Sequence, residues 1–262
     1  MNKKYEILKE ETKTIMGHTL HRIRALRDVD DVEKGDVGGW IEKEENLSQD
    51  GDCWVFDNAC VFGNARVYEN ACVYNNAQVY GDSQVYDYAK VYDYAKVFDN
   101  ASIFESAWVC GNACVFNDAR VYNCARVYDN ALVYNNAHIF GKANVYGNAH
   151  VFDDANVYGT AQVYNDARVY GNAHVYDNAK VLSGASVYGN SKVGDDAEVF
   201  GTAKVYDYAE ISGSALVFGS AQVRGRACVM DEAIVNDYAI IDGDAVIKKY
   251  EVVGGADEKG LT

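Results

Sequence analysis

The side chains able to do chemistry in this chain are few, and their spacing limits what they can do together. Five histidines, His18, His21, His138, His150 and His174, are its natural general bases, because imidazole alone titrates near neutral pH without help. His138 and His174 lie 36 residues apart with Asn156 midway, and His150 falls outside that spacing. A catalytic imidazole needs a group that orients its ring, and no carboxylate stands at a spacing that identifies it as that partner. The seven cysteines contain no C-x-x-C pair, and no two are 18 residues apart. Free, mutually isolated thiols suit a reducing compartment, and no metal site is expected. Near the start, His18, His21, Arg22, Arg24 and Arg27 form a small basic cluster, followed by Asp28, Asp30 and Asp31. The cluster suits a docking patch for an acidic or phosphate-bearing partner. A strand whose charge is balanced by the next turn is the plainer alternative.

The spacing of 18 matters because of the frame that carries these residues. From Val55 to Ile247 every sixth residue is Val or Ile, at thirty-three positions without exception. Four residues after each of the first thirty-two stands Ala, or Ser at Ser83 and Ser191. One residue after the aliphatic is usually Tyr or Phe, and the next two are mostly Gly, Asn or Asp. V-Y-G-N-A-H followed by V-F-D-D-A-N is typical. Alternation with period two reads as a strand A-x-V-Y with Ala and Val on one face, x and the aromatic on the other. The following pair tolerates the positive φ of a sharp corner. A helix would spread residues six apart around its circumference, so helix is excluded. The 262 residues include no proline, which cannot donate to a β-ladder, so nearly every backbone N–H is expected to serve as a donor.

The hexad V-Y-G-N-A-x resembles the hexapeptide repeat of left-handed parallel β-helices, and the resemblance covers residues 53–248. It implies an all-β, single-stranded left-handed parallel β-helix, a triangular solenoid in which three hexads make an 18-residue coil, about eleven coils in all. The aromatic after the aliphatic departs from that family, where small or acidic residues are usual. Residues 1–52 lack the hexad and read as an N-terminal β-cap, with a hairpin about Gly17-His18; residues 249–262 read as a short strand and tail. The cap's GDVGGWIEKEENLSQDGDCWV run is similar to the entry of prophage-borne hexapeptide proteins labelled acyltransferases.

If 18 residues make a coil, side chains 18 apart stack. One outward column is then Phe62, Tyr80, Phe98, Phe116, Tyr134, Phe152, Tyr170, Tyr188 and Tyr206, nine rungs in sequence. A second runs from Tyr68 to Tyr176, and a third, from Phe56 to Phe218, is interrupted at Cys110 and Leu182. Such ladders stabilise adjacent strands by roughly 0.2–1 kcal/mol per pair, and a long exposed apolar strip also marks a binding face. Of 23 acids between residues 53 and 248, 20 fall at the two corner positions, whereas nine of the 13 basic residues occupy x beside an aromatic. The expected coil therefore has acidic edges and aromatic, basic faces. The acidic edges suit solubility or mimicry of a phosphate array. The net charge of −15 disfavours direct nucleic-acid binding.

These features lead to a non-catalytic rigid scaffold or protein-binding module working through its aromatic faces, without cofactor. Its partners would be another copy, as a dimer or trimer, or a host protein. A phage-borne protein of this kind would serve as a virion accessory or as an inhibitor of a host defence protein. The family resemblance implies the rival function, an acyl-CoA-dependent acyltransferase with His138 or His174 as base and acyl-CoA held between subunits of a trimer. Members often add a loop thrown from the coil and a C-terminal helix, and this sequence has neither. No membrane-spanning run or leader is apparent in MNKKYEILKE, so a cytoplasmic location is expected, or a virion-associated one for a phage-borne protein.

Overall fold

A computed structural model describes residues 3–254. They form two compact units, one up to Asp129 and one from Asn130. Apart from a short 3-10 turn at Glu44–Asn46, all regular structure is β. The hexapeptide-like parallel β-solenoid is present in each unit.

The first unit opens with β1 (Tyr5–Ile15) and β2 (His18–Ala25), an antiparallel hairpin with Ile7 opposite Ile23. Its turn lies at Met16-Gly17, one residue earlier than the sequence suggested, with φ of 50° and 84°. β3 (Val37–Ile41) pairs antiparallel with β2 and then parallel with Cys60–Val61, Trp40 beside Cys60. It thus converts an antiparallel cap into the parallel ladder. Gly38 and Gly39 permit this. A Cβ on Gly38 would meet the Val55 carbonyl oxygen at 2.7 Å, and one on Gly39 would meet Val55 Cγ1 at 2.6 Å.

Thereafter each hexad contributes a strand of only two residues, x and the aliphatic, as in Cys72–Val73. The expected four-residue strand A-x-V-Y is shorter because its ends already bend: the Ala77 N–H donates back to the Tyr74 carbonyl at 3.2 Å. Residues 18 apart pair in register, Cys72 with Lys90 and Val73 with Val91. Each unit therefore has three parallel sheets. One of those in the second unit runs Leu132, His150, Arg168, Ser186, Lys204, Gln222 and Ile240. The inward aliphatic and alanine are fully buried in nearly every coil. Ser83 and Ser191 replace alanine without cost to satisfaction, since each hydroxyl donates at 2.8 Å to the carbonyl three residues before it.

The first corner position has positive φ in every hexad from Asp57 to Lys249. Glycine takes that conformation freely, and Asn and Asp tolerate it best among the others. Acidic corner residues have a second task. The Asp153 carboxylate accepts the Gly171 N–H at 3.2 Å, and Asp195 accepts that of Gly213 at 2.8 Å, each 18 residues on. Where an Asp or Glu stands at this corner, the one N–H that the ladder leaves aside in the next coil is thus capped by its side chain; where glycine stands there, as at Gly63 and Gly81, it is not.

Candidate functional site

The long aromatic column is present as two stacked runs, one in each unit. Phe62, Tyr80, Phe98 and Phe116 stack with centroids 4.8–5.0 Å apart and planes within 6°. Tyr134, Phe152, Tyr170, Tyr188 and Tyr206 do so at 4.8–4.9 Å within 3°. The spacing is that of the β-ladder, which holds every ring at one height per coil.

Phe62 departs from the exposed strip that the sequence suggested. It is 1% exposed, packed under Leu20, Ile15 and Trp40 of the cap and beside Cys60 of its own coil, so the accessible run of the first unit begins at Tyr80. The other eight rungs are half-buried. Each interior ring has its two faces against its neighbours, so solvent meets ring edges and phenol hydroxyls. A planar guest between rungs would need roughly 7 Å, twice a van der Waals contact, and the backbone holds them closer. Intercalative stacking of bases between rungs is closed by this geometry. Burial pushes the phenols of Tyr80, Tyr134, Tyr170 and Tyr188 up, which keeps them neutral donors.

The flanking x residues add charge, Arg168 and Lys204 in the second unit. The run ends in polar groups: Arg224 donates to the Tyr206 hydroxyl at 3.2 Å and to the Asp242 carboxylate at 2.8 Å. Sequence patterning places the rings in one column but contains no sign of ring orientation, which is a packing outcome.

His138 and His174 flank Asn156 in register on one sheet of the second unit, as the spacing suggested. His174 lies edge-on to Tyr158, centroids 6.2 Å apart. Burial, and then the Lys192 ammonium, hold its pKa below the ordinary histidine value, so its ring is neutral at pH 7. His150, against Tyr134, is lowered likewise by burial and Arg168. Neutral imidazoles have the proton state of a base. For His174, the neighbouring charge is a cation rather than the carboxylate that would orient a catalytic ring.

The basic cluster of the cap is divided among internal contacts. Arg22 lies over the Trp40 ring at 4.4 Å and donates to the Gly38 carbonyl at 2.9 Å and to the carbonyl of Asp57. Arg24 pairs with Glu6 at 2.8 Å. His18 Nδ1 meets the Glu42 carboxylate at 2.9 Å, whereas Nδ1 of His21 is buried without a hydrogen-bond partner. Arg27 is left for the surface, donating to the Asp28 carbonyl at 3.3 Å. An open groove of about 400 Å³, not foreseen from sequence, lies beside the cap between Lys43, Glu45, Asn64, Arg66, Asp82 and Gln84. Its polar groups bind one another, Lys43 to Asn64 at 3.0 Å and Asn64 to Asp82 at 3.0 Å. All seven cysteines are free, and among the described residues no cluster of His, Cys, Asp and Glu is placed to hold a metal ion. No helix among them is long and apolar enough to cross a membrane.

Two comparisons bear on these faces. A family model described as YdcK Beta solenoid repeat matches residues 125–141 and 161–177, the latter including Tyr170 and His174. Over 52 residues the chain is 38% identical to a protein of Escherichia coli (strain K12) named "Uncharacterized acetyltransferase YdcK". That stretch is 20% of this chain and 16% of the relative's length.

Proposed function

We propose that this protein is a rigid β-solenoid binding scaffold whose ladder face from Tyr134 to Tyr206 engages a protein partner. One observation carries the reading: five rings held within 3° of parallel form a half-buried strip of ring edges and neutral hydroxyls, too regular and too long for a point contact. Arg168 and Lys204 beside it favour a partner with acidic groups along a flat surface. A host protein bound in this way would suit a phage-borne or other bacterial origin. The test is capture from bacterial lysate with wild type and with Tyr134, Phe152 and Tyr170 changed together to Ser. A partner held by wild type and lost from the folded triple variant is expected. Equal capture by both would exclude the ladder as the binding face.

A second reading, acyl transfer, is favoured by the name of the partly matched relative and by the neutral His174 ring on a matched stretch. It would need acetyl-CoA to bind and His174→Ala or His138→Ala to abolish turnover while the fold persists. The scaffold reading expects no heat of acetyl-CoA binding in calorimetry.

A further inference from the structure

The last coil of the second unit differs from every other coil. Position x is polar, cysteine or tryptophan in all earlier hexads except at Leu132 and Leu216, yet its last four occupants are Ile234, Ile240, Val246 and Val252. Ile240, Val246 and Val252 are 47%, 50% and 65% exposed. Each belongs to the terminal described strand of its sheet, Ile240–Ile241, Val246–Ile247 and Val252–Val253. An edge of this kind is a template for pairing, and soluble proteins usually guard it with charge. The hexad is not continued in the next residues of the sequence, where Asp257 and Lys259 stand in place of Ala and Val.

We infer that this edge is an interface with a second copy of the chain, joined end to end about a twofold axis. The end of a coiled ribbon is a step, lowest at Ile240–Ile241 and highest at Val252–Val253. A twofold axis through the middle of Val246–Ile247 sets low against high. Val246–Ile247 then pairs antiparallel with its own copy, and Ile240–Ile241 pairs with Val252–Val253 of the partner copy. The same rotation exchanges the two corners flanking Val246–Ile247. One is acidic and exposed at Asp244; the other carries Lys248 and Lys249, also exposed. Each acidic corner therefore meets the basic corner of the other copy, twice per dimer, as a self-complementary contact requires. Backbone pairing supplies the attraction, the aliphatic x residues continue across the seam, and the charges set the register.

Sedimentation velocity on the full chain gives the test, read together with hydrogen exchange at the three edge strands. A dimer is expected, with the amides of residues 246–247 protected. Ile240→Lys with Val246→Lys should return a folded monomer by circular dichroism, with that protection lost. Asp244→Lys alone should weaken association by about tenfold or more, and Asp244→Lys with Lys249→Asp should restore it. The ladder variant with Tyr134, Phe152 and Tyr170 changed to Ser should remain a dimer, so this interface and the partner-binding face fail separately. A full-length monomer at about 100 μM would overturn the inference. Edge protection in such a monomer would point instead to residues 255–262 as the cover. Equal association by the charge variants would overturn the twofold register.

Discussion

The two ends of the repeat solve one problem in opposite ways. At the first coil the ladder is closed by side chains of the cap. Asn46, fully buried, donates to the carbonyls of Gly63 and Ala65 at 3.1 and 2.9 Å and accepts the Lys43 N–H at 2.9 Å. Lys4 is buried there too, its ammonium donating to the Cys53 carbonyl at 2.9 Å, and burial lowers its pKa. At the last coil no such cover is present among the described residues. Ala239 and Ala245 are part-exposed where earlier alanines are buried, and Tyr250 is 81% exposed. A solenoid carries its core to its ends, so each end must be covered or shared. This chain commits more than forty residues to covering one.

The sharpest test of that contrast uses one substitution at both ends. Gly39→Ala should cost about 3 kcal/mol or more, because its Cβ would meet Val55 Cγ1 at 2.6 Å and the Ala59 oxygen at 2.7 Å. Gly243→Ala in the last described coil meets nothing described within 4 Å and should cost only the left-handed backbone penalty of about 1–2 kcal/mol. Chemical denaturation read by circular dichroism measures both, and equal costs would remove the distinction.

Asn46→Ala comes next. It strands the buried carbonyl of Ala65 and the half-buried one of Gly63 and should cost about 2 kcal/mol or more in the same measurement. Within the regular coils the effect should be smaller. Asp153→Ala removes the cap from the Gly171 N–H at a half-buried corner that water still reaches, and a loss of about 0.5–1 kcal/mol is expected, as for a lost helix cap.

The smallest effect is pH-dependent and confined to the cap. Burial alone would raise the Glu42 pKa, but hydrogen bonds from His18 and the Gly63 N–H outweigh it and hold the carboxyl below its usual value. Its contribution is therefore complete above the ordinary glutamate pKa and is lost as pH falls through the depressed one. Tryptophan fluorescence, sensitive to Trp40 in the cap and to Trp54 in the first coil against it, should report acid weakening that Glu42→Gln removes. The aromatic runs, whose phenols are already neutral, should not share it.

Much of this was legible because a repeat states its rule many times. The column from Tyr80 onward and the alignment of His138 with His174 follow from counting by 18. Phe62 did not follow. Its burial comes from Leu20 and Trp40, which a period of six cannot see. For the same reason the partners of Arg22 and Arg24 could not be named from sequence, where the next turn was the plainer source of balance; they lie across strands at Gly38, Asp57 and Glu6. The shortening of each strand to two residues was hidden too, because alternation cannot show that alanine turns its N–H back upon its own coil.

The absence of proline marks the division between what sequence and structure each decided. In residues 72–77, Cys72, Tyr74 and Asn76 donate to the next coil at 2.8–3.0 Å, Ala77 donates back to Tyr74, and Val73 lies in the ladder between Val55 and Val91. The remaining position, Asn75, has φ 57°, which a proline ring cannot adopt. Every place in the hexad thus refuses proline, five for a donor and one for a dihedral. Period, inward face and register are local and repeated, so the sequence alone determined them. Ring orientation, the burial of Phe62 and the difference between the covered first coil and the last described coil arise from contacts between segments, and only the tertiary structure could decide those.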